Sequence, residues 1–258
     1  MEISGLVSII MLSKNNGKNV VDSVKSVQAQ TYEKWELLFL DDNSTDDTIS
    51  QVLRLKETDS RISVITSVYE RGVGVNRLAA LKYAKGEWIA FLDSGDLWEP
   101  DKLEKQIAFM NQNDYSFSYT KYKMVDERLN RAYVITGPAE ITSKEMRKCS
   151  WVGTLTVVLK HELVNLQNVK VLNVNNDYAI WLQACDKTNC YLLDECLAQN
   201  MIRRGFLRRL SFSSMMKWRY EVYRIIEDLS PIVSSFMTIR NLYYSIIRRI
   251  IYFKHTSF

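Results

Sequence analysis

Histidine is nearly missing from this 258-residue chain: only His161 and His255 occur, and Cys149, Cys185, Cys190 and Cys196 form no C-x-x-C pair. A zinc site is therefore not expected, and with no basic-then-apolar leader at the N-terminus the thiols read as reduced and cytosolic. Proline is scarce at three residues and glycine at nine, which argues against fibrous or disordered character. No uninterrupted apolar run of about 18 residues exists, so no membrane-spanning helix is expected. What is present suffices for one sizeable core with room for an appendage: 47% of residues are hydrophobic and 25% charged.

Charge is unevenly spread. The net charge is +4, but residues 203–258 hold 11 Lys/Arg against 3 Asp/Glu, leaving 23 basic and 27 acidic residues before them. The body is mildly acidic and the tail carries +8. This composition boundary divides the chain into an expected catalytic body, 1–202, and a basic helical C-terminal extension, 203–258.

The first hundred residues alternate between apolar runs and amphipathic stretches. Leu6 to Leu12, Trp35 to Leu40, Ile62 to Ile65 and Trp88 to Leu92 read as strands. Between them, Val20, Val21, Val24 and Val27 share one helical side, the acidic run Asp41 to Asp47 opens a second helix, and Asn76 to Ala84 forms a third. Fully apolar strands separated by helices imply βαβ units and an α/β fold whose mostly parallel sheet is covered on both faces. Ligands of such sheets bind at the carboxyl ends of the strands. Those ends carry Ser13 and Asn15, Asp41 and Asp42, then Asp93 and Asp96. Further on, Pro100 to about Asn111 reads as a helix, Tyr115–Tyr122 and Tyr133–Ile135 as strands, and Thr142 with Glu145 as a capping box. Thr154 to Leu159 is expected as a strand and Asp177 to Ala184 as a helix.

Asp93 and Asp96, in F-L-D-S-G-D-L-W-E-P, have two readings. They form a solvated loop capping the next helix, or they share a divalent cation with a nucleotide diphosphate, since Mg2+ and Mn2+ favour one or two carboxylates plus phosphate oxygens. Gly72-Val73-Gly74 lacks the third glycine of a dinucleotide loop and is a weak signal.

Taken in order, V-S-I-I-M-L-S-K-N-N (7–16), S-V-K-S-V-Q-A-Q-T-Y (23–32), W-E-L-L-F-L-D-D-N-S-T-D-D-T (35–48), G-V-G-V-N-R-L-A-A-L-K-Y-A-K-G (72–86) and W-I-A-F-L-D-S-G-D-L-W-E-P-D-K-L-E-K-Q (88–106) resemble the nucleotide-sugar-binding half of inverting family 2 glycosyltransferases with the GT-A fold. The likeness is close over residues 5 to 110 and looser to about residue 200. It implies a nucleotide-sugar-binding half at 1–110 and an acceptor-side half at 111–202.

The resemblance assigns roles. Leu12, Ser13 and Lys14 would contact the nucleotide, Asp42 with Asp41 beside it the base, and Arg77 the sugar-diphosphate. Asp93 would open a D-x-D-type signature through Ser94 and Gly95, with Asp93 and Asp96 holding Mn2+ or Mg2+. Asn176-Asp177-Tyr178-Ala179-Ile180-Trp181 is similar to the family's E-D-x-x-x-W segment, making Asp177 the catalytic base; an N-terminal helix cap is the plainer reading of the same residue. Inverting transfer needs such a carboxylate to take the acceptor hydroxyl's proton. Trp151 and Thr154 would meet the acceptor, and Arg203 and Arg204 would close over the diphosphate. Four departures stand out: Lys14 where an aromatic is usual, Leu78 after the arginine, Gly95 at the usual metal ligand, and Asn176 for an acid before the base.

In the tail, Ile239, Leu242, Tyr243, Ile246, Ile247 and Ile250 share one helical face, while Asn241, Ser245, Arg248 and Arg249 lie opposite. Either the helix packs on the body, or it lies on an anionic membrane surface, where each nearby Lys/Arg contributes about 1 kcal/mol. No nucleic-acid-binding motif accompanies the basic tail. The expectation is an inverting transferase moving a hexose or N-acetylhexosamine, most simply from a UDP-sugar, to a hydroxyl of a lipid-linked oligosaccharide in bacterial capsule or O-antigen assembly. It would work in the cytoplasm, peripheral to the inner membrane face. The alternative is a catalytically degenerate nucleotide-sugar-binding, membrane-associated protein. A sugar-phosphate nucleotidyltransferase would want a glycine-rich start that Ser13-Lys14-Asn15 does not supply.

Overall fold

The computed structural model describes residues 2–66, 72–126, 130–164, 176–202 and 212–256. Strands β1 (Ile3–Ser13), β2 (Trp35–Asp41), β3 (Ile62–Thr66) and β4 (Gly86–Phe91) lie parallel in the order β3-β2-β1-β4. Helices α1 (Gly17–Gln28), α2 (Thr48–Thr58) and α3 (Gly72–Leu81) connect them.

The apolar runs form strands buried on both sides because side chains alternate across a strand. Ile9 and Met11 of β1 join one core with Val20, Val24 and Val27 of α1. Ile10 and Leu12 join the other, with Leu81 of α3 and with Ile180 and Trp181 of α6 (Asn176–Cys185). Each such side chain contributes about 1.5–3 kcal/mol on full burial.

Beyond β4 the sheet is mostly antiparallel, so the expected mainly parallel sheet holds for the first half of the chain. Strand β9 (Val158–Lys160) pairs antiparallel with β4 and with β6 (Phe117–Asp126), and β7 (Arg131–Ile135) pairs antiparallel with β6. The 13-residue strand β10 (Cys190–Ile202) runs parallel to β6 and antiparallel to the short β5 (Asp96–Trp98) and β8 (Glu140–Ile141). The sequence reading did not contain β10. Asp194 and Glu195 interrupt its apolar pattern, and register shifts fall between Leu193 and Cys196 and between Cys196 and Ala198. Helix α4 (Lys102–Asn113) follows β5, and Thr142 accepts from the Glu145 amide at 3.3 Å to cap α5 (Ser143–Met146).

The expected strand from Thr154 begins only at Val158. Thr154–Thr156 form a 3-10 turn instead, because the Thr156 hydroxyl bonds back to the Gly153 carbonyl at 2.6 Å and competes with a ladder.

Among the described residues of the tail are α7 (Phe212–Glu221), the 22-residue α8 (Pro231–Tyr252) and β11 (Phe253–Thr256), which pairs antiparallel with β7. Helix α8 starts at the Ser230 cap, with Pro231 in its first turn. It packs inward through Ser234, Thr238 and Asn241, all buried. Ile232, Phe236, Ile239, Tyr243, Ile246 and Ile250, spaced alternately four and three residues apart, are exposed instead; Ile232 and Ile250 reach 83% and 76%. No described helix is long and apolar enough to cross a membrane.

Candidate active site

The site forms where β1, β2 and β4 end. Ser13 and Asp41 are register partners there, and both are buried. The Asp41 carboxylate accepts from the Ser44 amide at 2.7 Å and from its hydroxyl, so it shapes the loop rather than facing the site. Asp42 accepts from Lys14 Nζ at 2.9 Å and from Asn76 Nδ2 at 2.7 Å. Lys14, with its side chain 55% exposed, is therefore tied to the carboxylate expected to read the base. The Ser13 hydroxyl is buried with no hydrogen-bond partner among the described residues. Leu12 is core. Its carbonyl accepts from the Ser94 amide at 3.0 Å, fixing the acidic loop to the end of β1.

That loop is a tight turn from Asp93 to Asp96. Asn16 Nδ2 donates to the Ser94 carbonyl at 2.6 Å and to its hydroxyl at 3.0 Å, while the Gly95 amide donates to Ser23 Oγ at 2.8 Å. Gly95 has φ +101°, and a Cβ there would stand 3.1 Å from Asn16 Nδ2. The glycine is thus required by the backbone. It turns the chain so that Asp96 supplies the second carboxylate, held by Asn200 Nδ2 of β10 at 2.7 Å.

Arg77, buried on α3, is the hub. One terminal nitrogen donates to Asp93 Oδ1 at 2.7 Å and to Oδ2 at 3.0 Å, and the other lies 3.6 Å from Asp177 Oδ2. Burial alone would lower its pKa, but Asp93 and Asp177 outweigh that and raise it. Its Nε is buried with no partner among the described residues. Asp177, in the first turn of α6, accepts from Thr154 Oγ1 at 2.5 Å and from the Tyr178 amide at 3.0 Å. One guanidinium therefore joins the strand-end acid to the acid expected as base.

Two expected acceptor residues are elsewhere occupied. Trp151 is buried, its Nε1 donating to the Glu145 carbonyl at 2.9 Å and its ring meeting Tyr252 edge-on at 5.9 Å, so α8 covers it. Thr154 uses its hydroxyl on Asp177. Arg203 and Arg204 lie outside the described residues. Sequence reasoning missed Asn16, Asn76 and Asn200. Asn16 and Asn76 lie within the quoted motifs and were the findable ones; Asn200 is brought to Asp96 only by the pairing of β10 with β5.

The two acids of the turn suit a hard cation. Burial, and then the neighbouring Asp93 charge, push Asp96 up to about 8. A divalent ion between the two carboxylates would remove that repulsion. Among the described residues no cluster of three or more His, Cys, Asp or Glu side chains could hold a metal, so the remaining ligand positions would fall to phosphate or water.

The pattern of "Glycosyl transferase family 2" matches residues 8–157. The chain is 41% identical over 186 residues to the UDP-Glc:alpha-D-GlcNAc-diphosphoundecaprenol beta-1,3-glucosyltransferase WfgD of Escherichia coli, covering 71% of each. It is 34% identical over 226 residues to the putative teichuronic acid biosynthesis glycosyltransferase TuaG of Bacillus subtilis (strain 168), covering 87% of this chain and 89% of that one. Among solved structures, S. aureus TarS 1-349 in complex with UDP-GlcNAc superposes with a TM-score of 0.72 at 21% identity, over 95% of this chain and 72% of that one. The mannosyltransferase PcManGT from Pyrobaculum calidifontis, in complex with GDP-Man and Mn2+, does so with a TM-score of 0.59 at 14% identity, over 93% of this chain and 75% of that one. With the strand-end site and the sheet in agreement with these likenesses, the chain belongs to glycosyltransferase family 2 and is a glycosyltransferase of the GT-A fold.

Proposed function

We propose that the protein transfers a hexose or N-acetylhexosamine from a UDP-sugar, with inversion, to a hydroxyl of a lipid-linked oligosaccharide during bacterial surface polysaccharide synthesis. The observation that carries the reading is the Asp93–Arg77–Asp177 bridge. It supports a donor diphosphate on the Asp93 side and an acceptor hydroxyl on the Asp177 side, the two ends a single displacement at the anomeric carbon requires. The name of the E. coli relative supports the UDP donor and the diphospholipid-linked acceptor.

In this reading Asp42 orients the base of the nucleotide, with Lys14 and Asn76 fixing the carboxylate. Arg77 offers its unpartnered Nε to the diphosphate. Asp177, aligned by the Thr154 hydroxyl, takes the proton of the attacking acceptor hydroxyl. Asp93 and Asp96 would hold Mn2+ or Mg2+, which when bound offsets the charge growing on the leaving diphosphate.

The body, 1–202, carries the chemistry, and the tail lays the exposed stripe of α8 on the inner membrane face. Arg249, the exposed cation beside this stripe, suits anionic lipid.

Asp177→Asn is the direct test. Transfer should fall by a factor of about 100 or more while UDP-sugar affinity by calorimetry stays within about twofold. Retained turnover would sink Asp177 as the base. A UDP-sugar panel with and without EDTA tests donor and metal, and the anomeric coupling in the product's proton spectrum tests inversion.

A further inference from the structure

Helix α8 carries a half-buried cation as well as an exposed apolar stripe. Arg248 lies near its C-terminal end, two residues from Ile246 and two from Ile250 of the exposed stripe. Its guanidinium stands 5.9 Å from the Phe253 ring and close to the Tyr122 hydroxyl: burial raises the Tyr122 pKa and the Arg248 charge works against that rise. Its Nε is buried with no hydrogen-bond partner, and no ion pair joins Arg248 to a carboxylate among the described residues. Arg248 is half-buried and its sealed Nε lacks an acceptor, so an anion reaching this guanidinium is a natural complement.

Tyr122 brings this cation to the site. It pairs with Ala198 of β10, whose neighbour two residues on, Asn200, pairs with Asp96. Tyr122, Ala198, Asn200 and Asp96 therefore share one face of the sheet. From the other side, Asp177 is held by Thr154, and a Cβ on the adjacent Gly153 would lie 3.0 Å from the Tyr122 ring. The glycine lets the ring approach this loop, so Tyr122 links Arg248 to the turn that carries Thr154 and, through it, Asp177. The donor diphosphate already has Arg77, which stands between Asp93 and Asp177.

We propose that Arg248, steadied by the Tyr122 hydroxyl, binds the diphosphate of the lipid-linked acceptor. This rests on the reading of a diphospholipid-linked acceptor given above. The acceptor's sugar would point toward Asp177 and its lipid would leave along the apolar stripe into the membrane. The planar guanidinium suits two phosphate oxygens at once.

The full chain in detergent is titrated with farnesyl diphosphate, with UDP, and with phosphatidylglycerol vesicles. Arg248→Gln should weaken farnesyl diphosphate at least tenfold and leave UDP within twofold. Tyr122→Phe, which keeps the ring against Gly153, should weaken it in the same direction by less, and remains informative should Arg248→Gln fold poorly. Unchanged farnesyl diphosphate affinity in both variants overturns the proposal. An equal loss for UDP overturns it in favour of a donor contact, and a loss confined to vesicles overturns it in favour of a headgroup contact. Kinetics separate it from the reading beneath it. A wild type that glycosylates prenyl-diphosphate-linked sugars, with Arg248→Gln showing the same acceptor KM, overturns only the role of Arg248. A wild type active on a phosphate-free glycoside but not on those acceptors overturns the lipid-linked reading and this proposal together.

Discussion

Helices α1 and α8 are both amphipathic, yet they pack opposite ways round. Helix α1 buries Val20, Val24 and Val27 and exposes Lys18, Asp22 and Lys25. Helix α8 buries Ser234, Thr238 and Asn241 and exposes a stripe of Ile, Phe and Tyr. Along the first half of α8 the buried polar side chains are satisfied: Asn241 donates to the Tyr223 hydroxyl at 3.0 Å and accepts from Arg219 Nε at 2.9 Å, and Thr238 bonds the Ser234 carbonyl at 2.7 Å. A polar face can turn inward when its hydrogen bonds are complete, which leaves the apolar face for something outside the chain. Periodicity identifies the residues that share a face; the partner groups waiting on the body decide which face turns in.

The sharpest way to break this contrast is to place the same charge on both apolar faces. Val24→Asp buries an unpaired carboxylate and should cost on the order of 4 kcal/mol or more in urea unfolding. Ile239→Asp, on an exposed position, should stay within about 0.5 kcal/mol of the parent while losing most of its binding to anionic vesicles. Equal destabilisation by both would mean that the stripe of α8 is covered by the protein itself.

Helix α4 lies between the two cases, because its inward face mixes Leu103, Ile107 and Met110 with Lys102 and Gln106. Lys102 Nζ stands 4.3 Å from the centre of the Trp98 ring and donates to Gln106 Oε1 at 2.7 Å. Burial pushes its pKa from 10.5 down to about 7. Between those two pH values the unfolded chain holds a proton that the folded chain lacks, so stability rises with pH across that window. Below pH 7 the cost of the buried ammonium stands in full. Lys102→Met should therefore stabilise by on the order of 2–4 kcal/mol at pH 6, with the gain shrinking toward pH 10. A gain independent of pH would show that packing and not charge sets the cost.

At the site the inward polar group is Thr154. Removing its hydroxyl takes away the donor that orients the Asp177 carboxylate. With Asp177 as base, Thr154→Val should lower kcat about tenfold while leaving UDP-sugar affinity within about twofold. Thr154→Ser should restore kcat. A purely structural threonine would lose donor affinity and stability along with kcat.

The parallel half of the fold and its acidic strand ends were legible because both depend on local sequence: apolar runs make the strands, and the acids follow them directly. Arg77 bonds Asp93, and the adjacent Asn76 bonds Asp42. What was not legible depends on contacts between distant segments. Arg77 meets Asp177 a hundred residues on, and Thr154 turns its hydroxyl to that acid and not outward. Trp151 was expected to meet the acceptor, but its ring is covered by Tyr252 of a helix that sequence order puts a hundred residues away. The inward face of α8 was hidden for the same reason, since Tyr223 and Arg219, which satisfy Asn241, belong to other segments.

Gly95 is the smallest and most local test of that lesson. As a letter in D-S-G-D it looks like a lost metal ligand, so Gly95→Asp would be expected to restore one. Its φ of +101° and the 3.1 Å approach to Asn16 Nδ2 say otherwise. A side chain there strains the backbone and presses on the amide that holds Ser94. Gly95→Ala should cost about 1–2 kcal/mol in stability, the usual penalty for a left-handed conformation. Because the turn aims Asp93 and Asp96, the same variant should also raise the Mn2+ concentration needed for half-maximal turnover. Gly95→Asp should do the same rather than tighten metal dependence. A Gly95→Asp protein as stable as the parent, with a lower Mn2+ requirement, would return the glycine to the role of a missing ligand.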